Sequence, residues 1–124
     1  MRRLLWIDAI AAGSAGVLLL ALRGWLAGFY GFALAQLWVM AVVSLCYCAL
    51  GSIVLSQRTL PLGLVRVLFT ANFAWACVCA LAVPVLARSA TVFGLVALLL
   101  EAIFVGGLAW LERRRWLAIR SDER

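Results

Sequence analysis

The sequence contains no histidine, no lysine and only five acidic residues, Asp8, Glu101, Glu112, Asp122 and Glu123. Without histidine there is no Ser-His-Asp triad, no His-ligated metal and no His-ligated haem to look for. Proline is confined to Pro61 and Pro84, both near breaks between apolar runs. Charged residues amount to 13% of the 124 residues, against 68% apolar or aromatic, and mean hydropathy is +1.14. Soluble domains are roughly half apolar and a quarter charged, so this composition excludes a soluble globular enzyme.

The net charge of +6 rests on eleven arginines. Most of them flank apolar runs, and the only basic cluster is Arg113-Arg114-Arg115, so the charge reads as membrane anchoring and nucleic acid is not an expected partner. The expected partner is the lipid bilayer, joined by a second copy of the chain or by another membrane protein.

Four apolar stretches, 4–22, 33–55, 62–86 and 91–111, each have the length that crosses a hydrocarbon core of about 30 Å at 1.5 Å per residue. Arg23-Gly24 with Gly28 to Gly31, then Ser56 to Pro61, then Pro84 with Arg88-Ser89, punctuate the chain between them. Such short connections make neighbouring helices antiparallel. The expected fold is therefore all-α: a single integral membrane domain, a four-helix transmembrane bundle of up-down topology, with residues 112–124 as a basic tail. Arg2-Arg3 before an apolar run is also how a secretory signal begins, but this run is long, holds Asp8 and lacks a well-placed small-x-small site, so it is kept as a helix. On the expected topology Arg2, Arg3, Arg58, Arg66, Arg113, Arg114, Arg115, Arg120 and Arg124 share one side, and only Arg23 and Arg88 take the other. Positive charge favours the cytoplasm, which places both termini there, in an inner (plasma) membrane.

Cys46-x-Cys48 and Cys77-x-Cys79 resemble chelating pairs. Two residues on a helix turn through about 200°, so the members of each pair point apart, and they read as small apolar fillers with no metal or cofactor. Ala9 with Gly13 and Ala12 with Gly16 repeat at four-residue spacing, a pattern that lets helices approach closely inside one bundle.

Polar residues at depth carry the strongest signal, because charge in hydrocarbon is costly. Asp8 and Arg66 would both lie about 6 Å below the cytoplasmic boundary and are candidates to pair. Glu101 and Asn72 would lie deeper, near 16 and 15 Å, and are level with one another. Trp75, away from the interfacial belts, needs a partner for its indole N–H. Glu101, Asn72 and Trp75 thus form a candidate polar or proton site, in which Glu101 faces inward and is mostly neutral because burial beside neutral donors disfavours its charged form. The stretch Leu4-Leu5-Trp6-Ile7-Asp8-Ala9, then Asn72-Phe73-Ala74-Trp75, then Glu101 and Leu111-Glu112-Arg113, resembles a broad group of small bacterial four-helix integral membrane proteins. That resemblance implies a bacterial inner-membrane location and the same topology, and brings no reaction, cofactor or substrate. The chain is also similar, more weakly, to the small multidrug exporters, whose essential glutamate belongs to the first helix, where this sequence offers Asp8.

No catalytic residue emerges, and the expected function is non-enzymatic: an accessory, immunity or interaction protein of the inner membrane. The alternative is a small proton-coupled transporter in which Glu101 titrates. Reporter fusions after Arg58 and at the C-terminus are expected to give cytoplasmic signals, and an extracytoplasmic signal from either overturns the orientation.

Overall fold

In hydrocarbon a backbone must satisfy its own N–H and C=O groups, so apolar runs of this length become helices. A computed structural model describes residues 1–124 and is all-helical: α1 (Arg2–Ala21), α2 (Arg23–Tyr30), α3 (Leu34–Ser56), α4 (Leu62–Leu86) and α5 (Val92–Asp122). The four longer helices are each long and apolar enough to cross a membrane. Only 23 of the 124 residues are buried within the chain, and side chains such as Ile10, Val17, Leu81, Val85 and Ile103 are more than half exposed. Such a surface is compatible with lipid contact.

Two elements differ from the sequence expectation. Residues 23–30, expected as a break, form α2, which follows α1 after the single residue Leu22 (φ −107°, ψ 11°). Its glycines do not interrupt it because the segment is amphipathic: Leu26 is buried while Trp25 is exposed and stacks on Phe29 at 4.9 Å. Packing of that one face outweighs the helix cost of Gly24 and Gly28, about 1 kcal/mol each. The second difference is α5, which does not stop near Leu111 but runs 31 residues to Asp122, about 46 Å at the helical rise. Arginines are good helix formers, and nothing in 112–122 breaks the pattern.

α1 packs along α3, and α4 along α5, while the two pairs touch each other much less. Within the first pair the small residues serve close approach. A Cβ on Gly16 would stand 2.7 Å from Leu45 Cγ, one on Gly13 2.8 Å from Cys48 Sγ, and one on Gly51 3.3 Å from the Ala9 Cβ. One apolar cluster gathers Leu5, Ala9, Val54, Leu55, Val65, Leu68 and Trp116; a second gathers Leu26, Phe32, Leu37, Cys79 and Leu98.

Beside the first cluster, Arg2 donates to the carbonyls of Leu55 (3.0 Å), Gln57 (2.6 Å) and Arg58 (2.9 Å), which lack helical partners at the end of α3. The Trp116 indole donates to the Leu62 carbonyl at 3.0 Å, and the Met1 ammonium has its pKa lowered by partial burial and by nearby Arg115. Beside the second cluster, α2 ends on Gly31 in the left-handed region (φ 68°), where a Cβ would lie 2.9 Å from the Ser89 carbonyl oxygen. Thr91 caps α5, accepting from the Gly94 N–H at 3.3 Å, and donates its hydroxyl to the Phe29 carbonyl at 2.6 Å. Its N–H meets the Tyr30 carbonyl at 2.9 Å.

Gly94 sits against that same Tyr30 carbonyl, so closely that a Cβ would collide with backbone pinned by a hydrogen bond. Gly94→Ala is expected to destabilise the protein by roughly 1–3 kcal/mol, as overpacking does. Gly107→Ala, which meets nothing within 4 Å, should be neutral or slightly stabilising. Thermal unfolding in detergent micelles, followed by circular dichroism, checks both.

Candidate binding cavity between the helix pairs

The sparse contact between the α1–α3 and α4–α5 pairs leaves a cavity of about 560 Å³. Alanines supply much of its wall, with Ala11, Ala12 and Ala15 on α1 and Ala71 on α4, and small side chains leave volume that larger ones would fill. Into it project Asp8 from α1, Tyr47 from α3, Asn72 and Trp75 from α4, and Glu101 and Phe104 from α5. Its size and its mostly apolar lining with a few polar groups are those of small-molecule sites, roughly 300–1,000 Å³. The only charged side chains in the lining are the two acids, and no arginine reaches it.

The polar groups form two sets. In the first, the Trp75 indole N–H donates to Glu101 Oε1 at 2.8 Å. In the second, Asp8 Oδ2 accepts from the Tyr47 hydroxyl at 2.5 Å and from Asn72 Nδ2 at 2.7 Å, while Asn72 Nδ2 also lies 2.7 Å from the Tyr47 oxygen. Asp8 is 4% exposed and Asn72 5%. Two donors on one carboxylate oxygen offset much of the cost of holding it away from water.

The expected Asp8–Arg66 pair does not form. Arg66 follows the buried Val65 by one residue, which turns it about 100° away from the face that carries Val65, Leu68 and Asn72, and it is exposed. Equal depth did not imply a shared face. Of the two partners expected for Glu101, the Trp75 indole is the one it takes, while Asn72 turns to Asp8. Gly94, Leu98 and Leu108 are buried on α5, as a helical stripe through Glu101 requires, whereas Phe104 is half exposed. All four cysteines are free; Cys77 is exposed and Cys79 buried, on opposite faces. No group of three metal-ligating acid or thiol side chains comes together.

Two residues of the site were not singled out in the sequence, Tyr47 and Glu112. Tyr47 stands between Cys46 and Cys48 in an apolar run, and a single hydroxyl there has no spacing signal of its own. Glu112 reads as the start of a solvated tail, yet it is fully buried, facing Asp8 and Asn72, with neither carboxyl oxygen in a formed hydrogen bond. The overlooked signal was spacing: eleven residues separate Glu101 from Glu112, three full helical turns, which puts both on one stripe of α5. Compared with family models, curated proteins and solved structures, the chain matches none of them. Its class rests on the four long apolar helices, those of a multi-pass membrane protein.

Tyr47→Phe removes a donor from a buried carboxylate and is expected to cost roughly 1.5–3 kcal/mol, as hydrogen bonds to charged groups do. Arg66→Gln should stay within about 0.5 kcal/mol of the parent, as exposed substitutions do. Unfolding midpoints in micelles at neutral pH distinguish this from an Asp8–Arg66 ion pair, which predicts a large loss for Arg66→Gln.

Proposed function

We propose that the protein is a non-enzymatic multi-pass protein of the bacterial inner membrane that takes a lipophilic cation into the cavity between its helix pairs. The observation that carries this reading is the cavity's chemistry: an apolar lining, two carboxylates, no basic group and the aromatic rings of Tyr47, Trp75 and Phe104. Carboxylates attract a cation by charge and aromatic faces by their quadrupole, about 2 kcal/mol or more per desolvated contact, whereas an anion would meet only repulsion. Glu101 is the counter-ion, since Trp75 occupies Oε1 and no protein donor bonds Oε2.

The topology proposed with it is an antiparallel up-down bundle with both termini in the cytoplasm. Arg2 beside Arg58, Trp116 beside Leu62 and Met1 beside Arg115 support this by gathering the termini and the α3–α4 connection at one end. That end carries nine of the eleven arginines. Uptake of a cation from the membrane fits a small transporter, acting alone or as a homo-oligomer. An accessory or immunity role, the reading composition favours, stands second because no particular surface feature carries it.

Isothermal titration of tetraphenylphosphonium into the protein in lipid nanodiscs, with empty discs subtracted, tests the reading. Saturable binding is expected, weakened at least tenfold, about 1.4 kcal/mol, in Glu101→Gln, with no binding of tetraphenylborate. Absence of saturable binding, equal binding of the anion, or an unchanged affinity in Glu101→Gln overturns it.

A further inference from the structure

Glu112 is 0% exposed, and both of its carboxyl oxygens lack a hydrogen-bond partner. It faces Asp8 and Asn72. Asn72 already gives its amide to Asp8 Oδ2 and Tyr47, and the Tyr47 hydroxyl is given to Asp8. No cation is among the groups that face it: Arg2 is engaged by backbone carbonyls, the Met1 ammonium lies near Arg115, and Arg66, Arg113, Arg114 and Arg115 lie on exposed faces. The groups facing Glu112 are therefore Asp8 from α1, Tyr47 from α3 and Asn72 from α4, all acidic or neutral, and α2 contributes none.

Two ionised carboxylates cannot bond to one another, because both are acceptors only, and side by side away from water they repel strongly. A proton removes both difficulties: it turns one oxygen of Glu112 into a donor toward Asp8 and leaves the pair with a single negative charge. Tyr47 and Asn72, both donating to Asp8 Oδ2, fix which partner keeps that charge. We propose that Asp8 and Glu112 form an acid–carboxylate pair that binds one exchangeable proton, so that this pair, and not Glu101, is the proton site of the protein.

Asp8 also lines the cavity. A cation settling beside it competes with the Glu112 proton for the same negative charge, so the cation enters as the proton leaves to water and the net charge of the site is unchanged. This coupling rests on the cation-binding reading; the shared proton does not.

Infrared difference spectra of the full chain in nanodiscs, stepped from neutral to alkaline pH in H2O and D2O, test the pair without any ligand. The parent is expected to lose a carboxylic C=O band on alkalinisation. Glu101→Gln should retain that band, Glu112→Gln should lack it, and Asp8→Asn should shift its frequency because the acceptor has changed from a carboxylate to an amide. No band in the parent, its persistence in Glu112→Gln, its loss in Glu101→Gln, or an unshifted band in Asp8→Asn overturns the proposal. If Glu112→Gln fails to give a monodisperse helical protein, Asp8→Asn decides alone. Adding tetraphenylphosphonium in weak buffer at neutral pH then reads the coupling. Up to one proton released per cation bound is expected in the parent, and none in Glu112→Gln. Binding without release refutes the coupling and leaves the pair standing; absence of binding refutes the cation reading, whatever the infrared bands show.

Discussion

Hydrocarbon offers polar side chains no water, and the rest of this structure depends on how that constraint is met. Each long helix contributes one polar residue to a single cluster: Asp8 from α1, Tyr47 from α3, Asn72 from α4 and Glu112 from α5. The apolar surfaces of the α1–α3 and α4–α5 pairs could equally face lipid, because lipid is as apolar as they are, so burial alone gives the pairs little reason to meet. A carboxylate on one pair and an amide on the other do, since the Asn72 amide finds its acceptors, Asp8 and the Tyr47 oxygen, only across the gap between the pairs.

The same arrangement explains the cavity. The helix pairs are joined by the polar cluster and by apolar packing at each end, and between these ties the α1 side of the gap is lined by the small side chains of Ala11, Ala12 and Ala15. The volume left is lined with negative and aromatic groups because the residues that tie the bundle together are also the polar residues of its interior. Side chains that tie the helix pairs together also line the cavity, so a change at Asp8 or Asn72 alters both the tie and the lining.

The two ends are closed by different means. At one, a guanidinium and an indole N–H satisfy carbonyls at helix boundaries. At the other, Gly31 in a left-handed conformation and the Thr91 cap knit the turn after α2 to the start of α5, beneath the stacked rings of Trp25, Phe29 and Phe93. The amphipathic α2 and its aromatic rings suit the membrane–water interface, where a polar edge and an apolar body are both satisfied.

Class and helix number of the membrane segments were legible in the chain, because the length of an apolar run and the scarcity of charge are local properties that the bilayer reads directly. Asp8, Asn72, Trp75 and Glu101 were legible as residues of interest for the same reason: polarity inside an apolar run is visible without a fold. The Trp75 indole was one of two partners open to Glu101, and the structure takes it; the other partners were not legible. Helical rise gave depth, but facing depends on the rotation of each helix against its neighbours, and so Arg66 turned outward while Asn72 left Glu101 for Asp8. Glu112 was hidden more deeply, since its neighbours Arg113, Arg114 and Arg115 mark a solvated segment by composition, and only the continuation of α5 and the approach of α1 bury it. Sequence by itself determined which segments are long and apolar enough to cross a membrane and which polar groups within them must find partners. Tertiary structure alone decided who those partners are, because hydrogen bonds at this depth are made between helices whose relative rotation no single helix encodes.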